Sequence, residues 1–163
     1  MQNRPAIQFL CFLTISLLTL AALSCSKPEP KKTEPQTLAG RWINVSMNVT
    51  FNHEGPADSV STLEANEENW VEILGIKPII TTYSTDGTYV SEYRSPQDSV
   101  VGTSAGIWVT NAGILTMTDG GSGGSYSYRF DIKNDTATFI GIIDFDEDGI
   151  ADDRYVGIQR RYK

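Results

Sequence analysis

Residues 79–94, IITTYSTDGTYVSEYR, decide how the rest of the chain is read. Two runs rich in β-branched and aromatic residues, 79–84 and 88–94, flank Asp86-Gly87. An Asp-Gly pair between such runs is the strongest short-range sign of a β-hairpin, because Gly accepts the positive φ that a tight turn needs. Working outward, the same pattern recurs. Upstream, Ile43, Val45, Met47, Val49 and Phe51 alternate with Asn44, Ser46, Asn48 and Thr50, the period of two of a half-buried strand. Downstream, residues 107–110 and 114–118 meet around Asn111-Ala112-Gly113. After the loop GGSGGS at 120–125, Tyr126, Tyr128, Phe130 and Ile132 alternate with Ser127, Arg129, Asp131 and Lys133. Asn134-Asp135 turns the chain into residues 136–143, and a last run, 155–161, ends the series.

One segment reads differently. Ser61 and Glu64 form a capping-box pattern, and Leu63, Trp70, Ile73 and Leu74 fall near one helical face. Glu64, Glu67 and Glu68 suit the early turns, and Gly75 followed by Pro78 stops the element. The pattern predicts a helix over 63–74, between the first and second strands. The expected fold class is therefore all-β: an eight-stranded antiparallel up-and-down barrel with one short helix near a mouth. Closing the sheet removes its exposed edges. Eight strands leave an interior wide enough for side chains or one small ligand. Strand number and spacing fit a two-sheet sandwich equally well.

The N-terminus has the order of an export signal. Arg4 supplies a positive charge, residues 6–23 are mostly apolar, and Ser24 precedes Cys25. This stretch is short for a membrane span and abuts a small-residue processing site. Ala22-Leu23-Ser24-Cys25 resembles a lipobox, with Ala22 where such boxes usually carry Leu. The resemblance implies removal of residues 1–24 and lipidation, with palmitate among the acyl chains, of Cys25. Cys11 and Cys25 are the only cysteines. Loss of Cys11 and acylation of Cys25 would leave no thiol for a disulfide, a thiolate metal site or a nucleophile. Residues 25–37 then form the lipidated Cys and a tether, whose Pro28, Pro30 and Pro35 favour an extended chain. Residues 38–163 form the domain. The expected location is the cell envelope, lipid-anchored to the outer membrane of a Gram-negative bacterium. The residues after Cys25 leave the membrane face open.

Charge narrows the partners. The formal net charge of −7 becomes −8 when Arg4 is removed with the signal. An acidic monomeric domain of this kind does not suit nucleic acid, and its link to the membrane would run through the lipid.

Three short patterns resemble a lipocalin-like domain family of bacterial secreted lipoproteins. Gly40-Arg41-Trp42 is similar to the lipocalin Gly-x-Trp signature. Tyr83-Ser84-Thr85-Asp86-Gly87-Thr88-Tyr89 is similar to the family's F-x-x-D-G-T-Y hairpin. Gly106-Ile107-Trp108, followed by Ile114-Leu115-Thr116-Met117, is similar to its G-x-W … L-T-L pair. The resemblance implies a barrel in which a basic residue of the last strand, Arg160 or Arg161, packs over Trp42 as a cation–π contact. Gly40, Trp42 and Arg160 are the expected structural signature. It also implies a small apolar ligand, with Tyr89, Tyr93, Tyr126, Tyr128, Phe130 and Phe139 either lining a cavity or filling it.

The densest chemistry lies in residues 144–153, DFDEDGIADD. Asp144, Asp146 and Asp148 stand at loop positions 1, 3 and 5, Gly149 at 6, Ile150 at 7 and Asp152 at 9, as in a calcium loop. Ca²⁺ takes six to eight oxygens, and alternating carboxylates around a tight turn can present several of them. The Ile150 carbonyl would be a backbone ligand, and Asp153 could supply a further carboxylate. Position 12 is Tyr155 rather than Glu, and the flanks read as strands, so the segment is not an EF-hand. The alternative is a solvated acidic turn.

No catalytic constellation appears. The single His53 has no G-x-S-x-G elbow to serve, and Zn²⁺ chemistry wants several His or Cys. Two non-enzymatic expectations remain: a lipid-anchored carrier of a small apolar ligand, or an interaction or assembly module with a filled barrel and a Ca²⁺-stabilised loop.

Overall fold

The computed structural model describes residues 37–52 and 60–163. The strands are β1 (Gly40–Asn52), β2 (Val60–Asn66), β3 (Ile80–Tyr83), β4 (Thr88–Arg94), β5 (Val100–Asn111), β6 (Ile114–Asp119), β7 (Ser125–Lys133), β8 (Thr136–Ile143) and β9 (Asp153–Arg161). A single short helix, α1 (Trp70–Leu74), lies between β2 and β3. Sequential antiparallel pairing runs from β3 to β9, and β9 pairs back onto β1. Eight strands, β1 and β3–β9, thus close into a barrel. Closure rules out the sandwich, which would leave two pairs of free edges.

β1 holds the barrel shut because its 13 residues are long enough for two partners on one edge. Gly40–Ile43 pair with β3, and Ser46–Asn52 pair with β2, while the opposite edge lies along β9. The pairing with β9 shifts register between Asn44 and Ser46, leaving Val45 as a β-bulge. One extra residue reverses which face the following side chains take. Trp42 and Asn44 point inward before the bulge, and Met47 and Val49 point inward after it. The uninterrupted alternation expected from the sequence is therefore correct only beyond the bulge. Asn44, placed on the polar face by that reading, is buried.

The helix expected over 63–74 begins later. Its first third is strand: Leu63 and Ala65 lie opposite Val49 and Met47, burying their side chains on a shared face. Glu64 does not close a capping box; its Oε1 accepts from Asn48 Nδ2 at 2.8 Å across the hairpin. Asn66 and Asn69 make the turn that follows, with Asn69 Oδ1 accepting the Asn66 N–H at 2.7 Å. Trp70 is then buried against Met47, Val49 and Ala65. Gly75 ends the helix as expected, in the left-handed region with φ 69°, and its N–H donates to the Val71 carbonyl.

The core has two parts. One fills the closed end of the barrel around Leu38, Trp42, Tyr83, Leu115 and Phe139. The other lies between the β1–β2 hairpin and α1. Between them the barrel is not filled.

Candidate functional site

The unfilled part is a cavity of about 160 Å³ that shares walls with a wider vestibule of about 570 Å³. The vestibule, though not the inner cavity alone, is within the size range of small-molecule sites. The cavity sits where inward-facing positions carry polar groups. The bulge brings Asn44 in from β1, and alternation brings Gln159 in from β9, where Gln159 Nε2 donates to Asn44 Oδ1 at 3.3 Å. Thr81 and Ser91, opposite each other on β3 and β4, join hydroxyls at 2.9 Å. Gln159 Oε1 is buried and has no hydrogen-bond partner among the described residues. An unpaired buried acceptor costs about 1–3 kcal/mol unless something donates to it.

Aromatic rings make most of the remaining wall. Tyr89, Tyr93, Tyr126, Tyr128 and Phe139 line the cavity or its vestibule, one of the two alternatives the sequence left open. Phe130 instead packs in the core, stacked on Phe139 at 6.5 Å between centroids. Tyr83 and Tyr155 join the lining. Tyr155 leans over Gly157, where the ring occupies the space any Cβ would need. Desolvation pushes the Tyr155 hydroxyl up to about 12, helped by Tyr93. Desolvation also raises Tyr83, with Tyr155 and Tyr89 adding to the shift and Gln159 partly offsetting it. Tyr128 is raised for the same first reason. These phenols are neutral at physiological pH and act as hydrogen-bonding groups, not bases.

At the mouth, Asp119 ends β6 and organises the loop that follows. Its Oδ1 accepts the backbone N–H groups of Gly121 and Ser122, and its Oδ2 accepts from the Ser104 hydroxyl at 2.8 Å. The Ser122 N–H, then the Ser104 and Ser122 hydroxyls, hold this carboxyl at about 2. A carboxyl depressed in the fold contributes stability above its unfolded pKa of roughly 4 and loses it as pH falls toward the folded value. The Asp119 side-chain carbon should therefore titrate in NMR with a midpoint near 2. A midpoint near the unperturbed value would mean that the loop contacts do not form in solution.

The opposite end is sealed. Trp42 is fully buried and donates Nε1–H to the Leu38 carbonyl at 2.7 Å. The basic residue over its ring is Arg161, at 4.5 Å from guanidinium carbon to centroid. Arg160 does not take that place. It pairs with Ile43 on the outer face and donates to Glu67 Oε1 at 2.8 Å, whereas Arg161 lies directly opposite Trp42. Arg161 also donates to the carbonyls of Ala39 and Thr37. Gly40 leaves room for this, since a Cβ there would sit 2.8 Å from Arg161 Nη1.

The acidic loop joins β8 to β9 beside the vestibule. One carboxylate oxygen from each of Asp144, Asp146 and Asp148 lies within 4.8 Å of the others. The Gly149 N–H donates to Asp144 Oδ2 at 3.0 Å, while Asp144 Oδ1 is buried without a partner among the described residues. The Ile150 carbonyl accepts from the Asp152 N–H, and Asp152 Oδ2 accepts from Asn52 Nδ2 at 3.1 Å. Asp153 has a different role from the ligand expected of it. It is buried, its Oδ2 accepts the N–H groups of Phe145 and Asp146, and its Oδ1 accepts that of Asn52. It braces the loop from behind. Residues 1–24, Cys25 and His53 lie outside the described residues.

The residues missed by sequence reasoning are Asn44, Thr81, Ser91 and Gln159. Gln159 shares its parity with Tyr155 and Gly157, which is the signal that could have found it. Asn44 had no such signal, because its inward face depends on the bulge. Fold and cavity together define a small closed antiparallel β-barrel with a partly polar interior site. No family model matches the chain, and no curated protein matches it.

Proposed function

We propose that the chain is a lipid-anchored envelope lipoprotein with a lipocalin-like domain, carrying a small molecule inside the barrel rather than catalysing a reaction. The observation that supports this reading is the unfilled interior, where Gln159 Oε1 is buried without a donor among the described residues. A filled barrel serving only as an interaction module would have no use for that group. The mixed lining favours a ligand with an apolar body and hydrogen-bonding ends over a purely apolar one. Native mass spectrometry of protein purified without detergent tests it. A reproducible non-covalent adduct is expected, which denaturation removes; bare protein that also refuses added small molecules would count against the carrier. The anchor has its own readout, since intact mass of the membrane-extracted protein should show acyl chains on Cys25 and loss of residues 1–24.

The β8–β9 loop is proposed to take Ca²⁺, with Asp144, Asp146, Asp148 and Asp152 as carboxylate ligands and the Ile150 carbonyl beside them. A cation there would relieve repulsion among the clustered carboxylates and satisfy Asp144 Oδ1. Binding to the folded state alone stabilises it by about 2.7 kcal/mol at a hundred times the dissociation constant. Millimolar Ca²⁺ should raise the melting temperature by several degrees, EDTA should reverse the rise, and Asp146→Asn/Asp148→Asn should abolish it. An equal rise in that double variant would show that the loop is not the site.

A further inference from the structure

Among the described residues, the walls of the cavity and vestibule carry charge of one sign only. Asp119, Asp144 and Glu147 border the vestibule, and none of the described Lys or Arg residues lines either space. Six of the chain's seven tyrosines, Tyr83, Tyr89, Tyr93, Tyr126, Tyr128 and Tyr155, line the two spaces. The faces of such rings attract cations, most strongly where water is excluded. An anionic ligand would meet carboxylates with no counter-charge, which costs rather than stabilises. At the inner end, Gln159 is 8% exposed and its Oε1 lacks a donor among the described residues, so the ligand's far end needs an N–H or O–H.

We propose that the cavity takes a small organic amine in its protonated form, with its ammonium at the mouth among Asp119, Glu147 and the tyrosine rings, and a donor group on Gln159 Oε1. This rests on the carrier reading and names the ligand class it implies. Charge selects the ligand at the entrance, and the buried amide sets its depth and orientation.

Calorimetric titration of the full mature chain with three matched probes tests it, in buffer with EDTA so that the acidic loop keeps its charge. Tyramine, 4-ethylphenol and 3-(4-hydroxyphenyl)propanoate share a phenol donor and differ in the charge at the other end. Tyramine should bind about tenfold or more tighter than 4-ethylphenol, weaken as salt is raised, and exclude the propanoate. Glu147→Gln, at an exposed position, should weaken tyramine and leave 4-ethylphenol unchanged. Gln159→Leu should weaken tyramine but not phenethylamine, which has no phenol to donate. Equal affinity for tyramine and 4-ethylphenol, or preference for the propanoate, overturns the amine assignment while leaving the carrier reading intact. Failure of all three probes at millimolar concentration, with phenethylamine also inert, overturns both.

Discussion

Trp42→Ala is expected to cost the domain about 3–5 kcal/mol, the range for deleting a large buried aromatic side chain. The residue is fully buried, and its truncation has three consequences at once. It opens a void at the closed end of the barrel, removes the donor to the Leu38 carbonyl, and takes the ring from beneath Arg161. The third leaves a guanidinium over a hole, although its bonds to the Ala39 and Thr37 carbonyls keep it near the surface. Small domains have only about 5–15 kcal/mol in total, so the variant should unfold at much lower urea with the same dependence on denaturant. Arg161→Lys should cost far less, about 1 kcal/mol, by losing the planar stack while keeping a cation. A Trp42→Ala loss under about 1 kcal/mol would show that the closed end is not packed as described.

The second large effect is expected at Asp153, where the sequence pointed to a metal ligand and the structure places a brace. Asp153→Ala should destabilise by about 2–4 kcal/mol with or without Ca²⁺, because the N–H groups of Asn52, Phe145 and Asp146 lose their acceptor. Asp146→Asn, on the exposed side of the loop, should cost little in EDTA and matter only when Ca²⁺ is added. Urea unfolding of both variants in EDTA and in Ca²⁺ separates the roles. Equal losses from the two, confined to Ca²⁺, would mean that Asp153 is a ligand after all.

The hairpins were legible because their turns are written in a few residues. Asp86-Gly87 and Asn134-Asp135 lie at the β3–β4 and β7–β8 turns, and Gly87 and Asn134 have φ of 84° and 56°. The even series of short antiparallel runs indicated an all-β domain, and only the β1–β9 pairing decided for the barrel over the sandwich. The β2 strand was not legible, because Ser61, Leu63 and Glu64 satisfy a helical start and a strand alternation alike. Only the opposing Val49 and Met47 decide between them, and that is a tertiary fact. The bulge at Val45 belongs to the same kind. Nothing in the residues around it marks a register shift, yet it determines that Asn44 faces the cavity. The choice of Arg161 over Arg160 turned on a single step of parity against Trp42. The acidic loop shows the converse, since its spacing was plain but the bracing contacts of Asp153 needed the backbone.

The up-and-down order of the strands puts the start of β1 and the end of β9 at the same pole, where Arg161 clasps the carbonyls of Ala39 and Thr37. Asp119, at the end of β6, and Glu147, on the loop after β8, border the opposite pole. The polypeptide thus enters through the floor of the vessel. Thr37 joins the domain at the sealed pole, the end farthest from the mouth.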